Sequence, residues 1–310
     1  MLNKPSVSVV IPTKGRPRLL VRAIESARNQ TLVNIEIIIV VDGYDPLTEE
    51  VIDQINDHRV KKIVNMVSVG GAESRNIGVH NASADWIAFL DDDDEFLCTK
   101  LERQLSLAQG STHRYPVIYC KIFGRTPAKD LVWPRREPRV GEHISDYILS
   151  RNSLFQGEGL IQTTMLFVPK ELLVAVPFRN ELKRHQEWDW AFRAAQMNGV
   201  GFELCNEILA VWYIEENRQG VSTQGNWVYS LHWIQSMKDL VAPRAYAAFL
   251  MTVVSSIAKK ENDKKAFRQL WQEANRNGKP SVLEKILFLG IWATPQNFRH
   301  QLRNLWMGSR

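Results

Sequence analysis

The chain has 310 residues, 45% hydrophobic and 24% charged, which excludes a disordered or fibrous protein. Its net charge of +5 suits anionic small ligands or a phosphate-bearing surface and is too slight for a dense nucleic-acid stripe. Three scattered cysteines (Cys98, Cys120, Cys205) form no disulfide framework and no C-x-x-C pair, and no run reaches the ~18 apolar residues of a membrane span. A cytoplasmic setting is expected, because Pro12 follows too short an apolar run for a signal peptide.

Residues 7–13, VSVVIPT, form a continuous β-branched run, the mark of a strand buried on both faces. Leu19, Leu20, Ala23, Ile24 and Ala27 then recur at helical spacing. IEIIIVVDG (35–43) reads as a second buried strand and PLTEEVIDQIND as a helix with proline near its start. VKKIVN is a third strand, GGAESRNIGVHNA a glycine loop entering a helix, and DWIAFL (85–90) a fourth strand. Alternating strands and helices predict a parallel sheet with right-handed crossovers.

From 97 onward the pattern loosens. A helix at 97–109, a strand at 117–122, a loop at Trp133–Pro138 and a helix at 141–150 precede a strand at 161–169. A helix at 185–199 and a strand at 207–214 follow, and beyond 225 the chain reads as helical with a break at NGKPS (277–281).

Ligands of open α/β sheets bind outside the carboxyl ends of the strands. That edge collects Thr13, Asp42 and Asp91 from three strands, with Arg75-Asn76 following the third by a loop. The fourth strand runs into five consecutive acids, Asp91 to Glu95. If they continue extended, Asp91 and Asp93 point to one side and Asp92 and Asp94 to the other. An Asp-x-Asp pair on one side is a partial cage for Mg²⁺ or Mn²⁺, which fills its shell with phosphates and water. The competing reading is an acidic turn favoured by the dipole of the next helix.

SVVIPTKGRPRLLVRAIESARNQT, VVDG, GGAESRNIGV and IAFLDDDDEF, in this order, make residues 5–215 similar to family 2 of the glycosyltransferases. The resemblance implies the nucleotide-sugar-binding GT-A fold, an α/β mixed sheet with helices on both faces. It implies a catalytic domain at 1–224, with a nucleotide-binding half at 1–96 and an acceptor half at 97–224, and a helical extension at 225–310. It also implies that Pro12, Thr13 and Arg16 line the nucleotide pocket, that Asp42 bonds the base or ribose and that Arg75 contacts the base. Asp91 would approach the ribose and metal, Asp92 the donor, and Asp93 would be the principal metal ligand.

The family places a general base in an acidic run before tryptophan or leucine, and RHQEWDW puts Glu187 there. Glu in place of the more usual Asp is a departure, extending the carboxylate by ~1.5 Å. Asp189 is the competitor, projecting about 200° away on a helix. His185 lacks a second histidine at i+3 or i+4 and so reads as a polar or capping residue. NRQGVS (217–222) is a candidate loop over the diphosphate through Arg218 and Ser222.

The expected activity is inverting, metal-dependent transfer of one sugar from a UDP- or dTDP-linked donor to a hydroxyl of a glycan or lipid-linked glycan in surface polysaccharide assembly. The alternatives are a non-catalytic glycan-binding relative and a nucleotidyltransferase of related fold. The segment 282–306 mixes apolar residues with Lys285, Arg299, His300 and Arg303, which reads either as a helix packing on the catalytic body, the more common case, or as an amphipathic basic helix lying on the inner face of a membrane.

Overall fold

The computed structural model describes residues 4–154, 157–214 and 226–294. By compactness these fall into two units, one spanning Met1–Glu137 and Ile161–Glu215, the other Pro138–Leu160 and Glu216–Arg310. From the sequence, 97–224 reads as one acceptor half. Compactness instead groups 138–160 with the helices.

In the first unit the β-branched runs become β1 (Val7–Thr13) and β2 (Ile35–Asp42), whose eight residues are all buried. They pair in parallel, and β3 (Val60–Asn65) and β4 (Trp86–Phe89) extend the ladder on either side, also in parallel. Helices α1 (Pro17–Arg28), α2 (Pro46–Asp53) and α3 (Gly71–Asn81) connect them. Prolines open α1 and α2, where a missing N–H costs no helical bond. Helix α3 lies unusually close to β1: a Cβ on Gly78 would stand 2.3 Å from Val10 Cγ1.

The sheet then turns mixed. After β5 (Glu95–Phe96) and α4 (Lys100–Gly110) come β6 (Tyr115–Arg125) and β7 (Asp130–Trp133). A 3-10 turn at Thr163–Met165 leads into β8 (Leu166–Pro169), and β9 runs Val200–Tyr213. Strand β8 is antiparallel to β4 and β6, while β9 is parallel to β6. The order is β3-β2-β1-β4-β8-β6-β9-β5, with β7 on β6.

Three local expectations change. The strand at 161–169 is half 3-10 turn, because Thr164 turns inward to the acids. Trp133, read as the start of a loop, instead ends a strand, Asp130–Trp133, paired with β6. Strand β9 begins seven residues before 207, since its mixed burial pattern hides the alternation that marks a strand. Helices α6 (Lys170–Ala175) and α7 (Gln186–Ala194) complete the unit.

Two buried ions bracket its energetics. Glu36 carries a full network: Ser8 Oγ at 2.5 Å, Ser83 N at 2.6 Å and Lys61 Nζ at 2.6 Å. Burial alone would push its carboxyl up, but these donors overcome it and hold the group at about 2. Lys100 is the opposite case. Its amine is fully buried with Gln104 Oε1 and the Phe96 ring, 4.2 Å away, and burial lowers it to about 8.

At pH 7 that lowering costs on the order of 3 kcal/mol. The unfolded chain binds a proton more readily between about 8 and 10.5, so the penalty stands in full below that window and fades as pH rises through it. Replacing Lys100→Met should therefore stabilise the protein by about 1–2 kcal/mol at pH 7, after subtracting the lost Gln104 and Phe96 contacts. The gain should shrink toward pH 10, as read by urea unfolding at both pH values. An equal or destabilised variant at pH 7 would mean that the buried ammonium is well solvated.

In the second unit α5 (Ile144–Leu149) precedes α8 (Trp227–Ser236) and α9 (Pro243–Phe249), which runs through a π turn (Leu250–Val254) into α10 (Ser255–Lys260). Helices α11 (Lys265–Asn277) and α12 (Val282–Ala293) close it, the latter with a Ser281–Glu284 capping box. Fully buried Glu284 accepts from Arg244 Nε at 3.1 Å and from Arg151 N at 3.2 Å, which ties 138–160 to these helices. A Cβ on Gly159 would meet the Tyr147 carbonyl at 1.8 Å, so that segment also packs tightly on itself.

Candidate active site

The acids after β4 form a turn, not an extended run: Asp94 N donates to the Asp91 carbonyl at 3.0 Å. The alternation expected for an extended chain is thereby overturned. Asp94 swings to the side of Asp91 and Asp93, and one carboxylate oxygen from each of the three lies within 4.8 Å of the others. Asp92 turns the other way, toward β1. Its Oδ2 accepts from Thr13 Oγ1 at 2.8 Å and its Oδ1 from Arg16 Nη1 at 3.1 Å. Burial raises the Asp92 carboxyl, and Arg16 and Thr13 oppose that rise.

Three cationic or polar groups hold this turn. Arg16 also reaches Asp93 Oδ2 at 3.0 Å. Arg22 donates to the Asp93 carbonyl while its guanidinium lies 3.7 Å over the Tyr213 ring. Thr164 donates to Asp94 Oδ2 at 2.6 Å and accepts from Asp91 N at 3.3 Å.

Asp94 is fully buried; the Tyr213 backbone favours its charged form, but among the described residues its Oδ1 makes no hydrogen bond. Burial, then the charges of Asp91 and Asp93, push its carboxyl well above the usual range. Three clustered carboxylates with an orphaned buried oxygen suit a hard divalent cation, whose charge would relieve both the repulsion and the missing partner. The residues present fit such an ion.

Helix α3 links this cluster to α7. Arg75 donates to Asp91 Oδ1 at 2.6 Å through Nη2 and to Gln186 Oε1 at 3.0 Å through Nη1. Its neighbour Asn76 donates to the Phe178 carbonyl at 2.9 Å and to Asn180 Oδ1 at 3.0 Å, fixing the segment that leads into α7.

On α7, Glu187 is half-buried and hemmed in by protein, and no other side chain donates to it among the described residues. Burial raises its carboxyl, Arg75 opposes the rise and Asp91 adds to it. Asp189, fully buried, is committed to Arg193 Nε at 2.7 Å and Arg179 Nη1 at 3.4 Å. His185 adopts a left-handed backbone (φ 63) before the helix and stacks on Trp188 at 5.5 Å. Burial, aided by Arg184, lowers its imidazole to about 3, so it stays neutral at physiological pH. It makes no side-chain cap.

Asp42, at the end of β2, is buried and turned to the loop between β3 and α3. Ser68 Oγ donates to it at 2.7 Å, Val69 N at 2.6 Å and Gly70 N at 3.1 Å. Pro12 stands beside Thr13 at the end of β1. Arg218 and Ser222 lie outside the described residues. Thr164, Arg22 and Gln186 escape a reading from sequence, which places Asn76 at this edge without its partners and Asp94 on the wrong side. Asp94 stands in the quoted run, but the first three carry no motif of their own.

Comparison with known proteins bears on this geometry. The model of the family described as glycosyl transferase family 2 matches residues 8–176. The amylovoran biosynthesis glycosyltransferase AmsB of Erwinia amylovora is 29% identical over 250 residues, 77% of this chain and 80% of its own length. A GalNAc(5)-diNAcBac-PP-undecaprenol beta-1,3-glucosyltransferase of Campylobacter jejuni is 35% identical over 39% of this chain and 38% of its own length. The solved structure of S. aureus TarS 1–349 in complex with UDP-GlcNAc superposes with a TM-score of 0.58 at 16% identity, covering 92% of this chain and 79% of that one. The fold is that of the GT-A enzymes, and the chain belongs to glycosyl transferase family 2, whose activity is glycosyl transfer.

Proposed function

We propose that this protein transfers a single sugar, with inversion at the anomeric carbon, from a UDP- or dTDP-linked donor to a hydroxyl of a lipid-linked glycan during surface polysaccharide assembly. One observation carries the reading: Arg75 joins Asp91, in a three-carboxylate cluster, to Gln186, whose neighbour Glu187 has a carboxylate that no other side chain holds among the described residues. A general base and a diphosphate-binding edge are then adjacent, as a one-step displacement requires.

Glu187 accepts the proton of the acceptor hydroxyl. The acceptor's hydroxyl oxygen, not the carboxylate, attacks the anomeric carbon from the face opposite the nucleotide, and the C–O bond to the diphosphate breaks with its electron pair leaving on phosphate oxygen. Asp91, Asp93 and Asp94 would hold Mg²⁺ or Mn²⁺, which supplies neutralisation of the charge on the departing diphosphate. Arg75, already bridging Asp91 and Gln186, keeps the two ends of the site in register. Thr13 and Arg16 act indirectly, by holding Asp92 so that the turn keeps its shape. Asp42 shapes the 68–70 loop on which the base and ribose would rest. The polysaccharide role of AmsB and the undecaprenol-linked acceptor in the name of the Campylobacter relative support the acceptor class.

The test is nucleoside diphosphate release from UDP- and dTDP-sugars with Mn²⁺ or Mg²⁺ and a polyprenyl-diphosphate-linked glycan, with and without EDTA. Metal-dependent release and a product of inverted anomeric configuration by NMR are expected. Release indifferent to EDTA, or a retained configuration, would overturn the mechanism.

A further inference from the structure

The second unit carries an apolar stripe that its own packing leaves open. Val282, Ile286 and Leu289 on α12 are 75%, 55% and 49% exposed. At about 100° per residue they share one side of the helix, with exposed Ala293 in line, while Glu284 and Phe288 bury the opposite side. Phe267 of α11, itself 37% exposed, packs on Phe288 at 5.0 Å and Trp292 at 5.5 Å. Single exposed apolar residues are ordinary, but an aligned stripe of this kind marks an interaction face.

Charge decides what covers it. Residues 259–310 hold eleven Lys and Arg against four Asp and Glu, so the whole chain's excess of +5 resides here and the rest is slightly acidic. Exposed Lys264, Lys265, Arg268 and Lys279 lie on this unit, and Lys285 lies beside the stripe on α12. Such a surface repels a second copy of itself and attracts an anionic one such as a lipid headgroup layer. The sequence directly beyond α12 has the same character, with Phe298, Leu302 and Trp306 among Arg299, Arg303 and Arg310. Among the described residues, no helix is long and apolar enough to cross a membrane.

We propose that the open face of α12, with Lys285 beside it and the basic excess of this unit, docks on an anionic phospholipid bilayer. The inference rests on the proposed lipid-linked acceptor, since a catalyst resting on the bilayer meets such a substrate at its headgroup.

Flotation of the full chain with vesicles separates the outcomes. Phosphatidylcholine vesicles containing about 30% phosphatidylglycerol should bind it at least tenfold better than phosphatidylcholine alone, and less so as salt rises. The Ile286→Glu, Leu289→Glu pair should lose at least tenfold of that binding while keeping the wild-type melting temperature. Lys279→Glu with Lys285→Glu should weaken it in a salt-dependent way. Equal binding by the Glu pair, no binding by the wild type, or a dimer that the Glu pair converts to monomer would overturn the proposal. Nucleoside diphosphate release, assayed in parallel without vesicles, reports on the catalytic reading separately.

Discussion

Glu187→Gln should cut transfer by roughly 10²–10⁴-fold, the usual contribution of a positioned general base, while donor affinity stays within a few-fold of wild type. The amide is nearly isosteric but accepts no proton. Because no other side chain holds the Glu187 carboxylate, the change should leave folding almost untouched. The pH profile gives a second readout. Burial raises this carboxyl above its ordinary value near 4.5, and catalysis needs the ionised form. The acid limb of kcat/KM should thus lie above the ordinary glutamate value, with activity falling as pH drops through it and the limb absent in the Gln variant. Asp189→Asn is the control. It breaks pairs with Arg193 and Arg179, so it should lower the melting temperature far more than it alters the pH profile. Wild-type turnover in Glu187→Gln would remove the residue from the reaction.

Asp94→Asn should act in opposite directions on stability and on transfer. In EDTA, wild-type Asp94 is a fully buried carboxyl with an orphaned oxygen beside two like charges. Its folded form holds a proton at pH values where the unfolded chain has lost it, so metal-free protein loses stability as pH climbs from the usual carboxylate value through the raised one. An amide relieves that penalty and still accepts from Thr164. The variant should melt higher in EDTA at pH 7, by about 2–4 °C per kcal/mol relieved. Added Mn²⁺ should then stabilise wild type but not the variant, and transfer should fall by roughly 10²–10³-fold. Calorimetry in EDTA and in Mn²⁺ reads both effects. A lower melting temperature in EDTA would make Asp94 a structural acid instead.

Much of this was legible in the residues, for reasons that also explain the rest. Continuous β-branched runs admit one reading, which is why β1 and β2 fall where the pattern puts them. Asp91 and Asp93 stood out because clustered like charges demand an explanation. The preference for Glu187 over Asp189 came from the family resemblance, helical angle serving only to separate the two, and Asp189 is paired with Arg193 and Arg179. Asp94 was misplaced because one backbone hydrogen bond, Asp94 to Asp91, converts an extended run to a turn, and four acids in a row carry no mark of that choice. The contacts of Gln186 and Asn76 were invisible for another reason. Their partners lie 111 and 104 residues away, and a lone amide carries no periodicity to betray a contact at that range.

The closeness of α3 to β1 has an architectural corollary. Gly78 leaves no slack between helix and sheet, so the helix bearing Arg75 and Asn76 is bolted to the strand that also carries Thr13. The stretch from Phe178 to Gln186 is clasped by that same helix, through Asn76 and Arg75, so a displacement at Gly78 would reach Asp91 and Gln186 together.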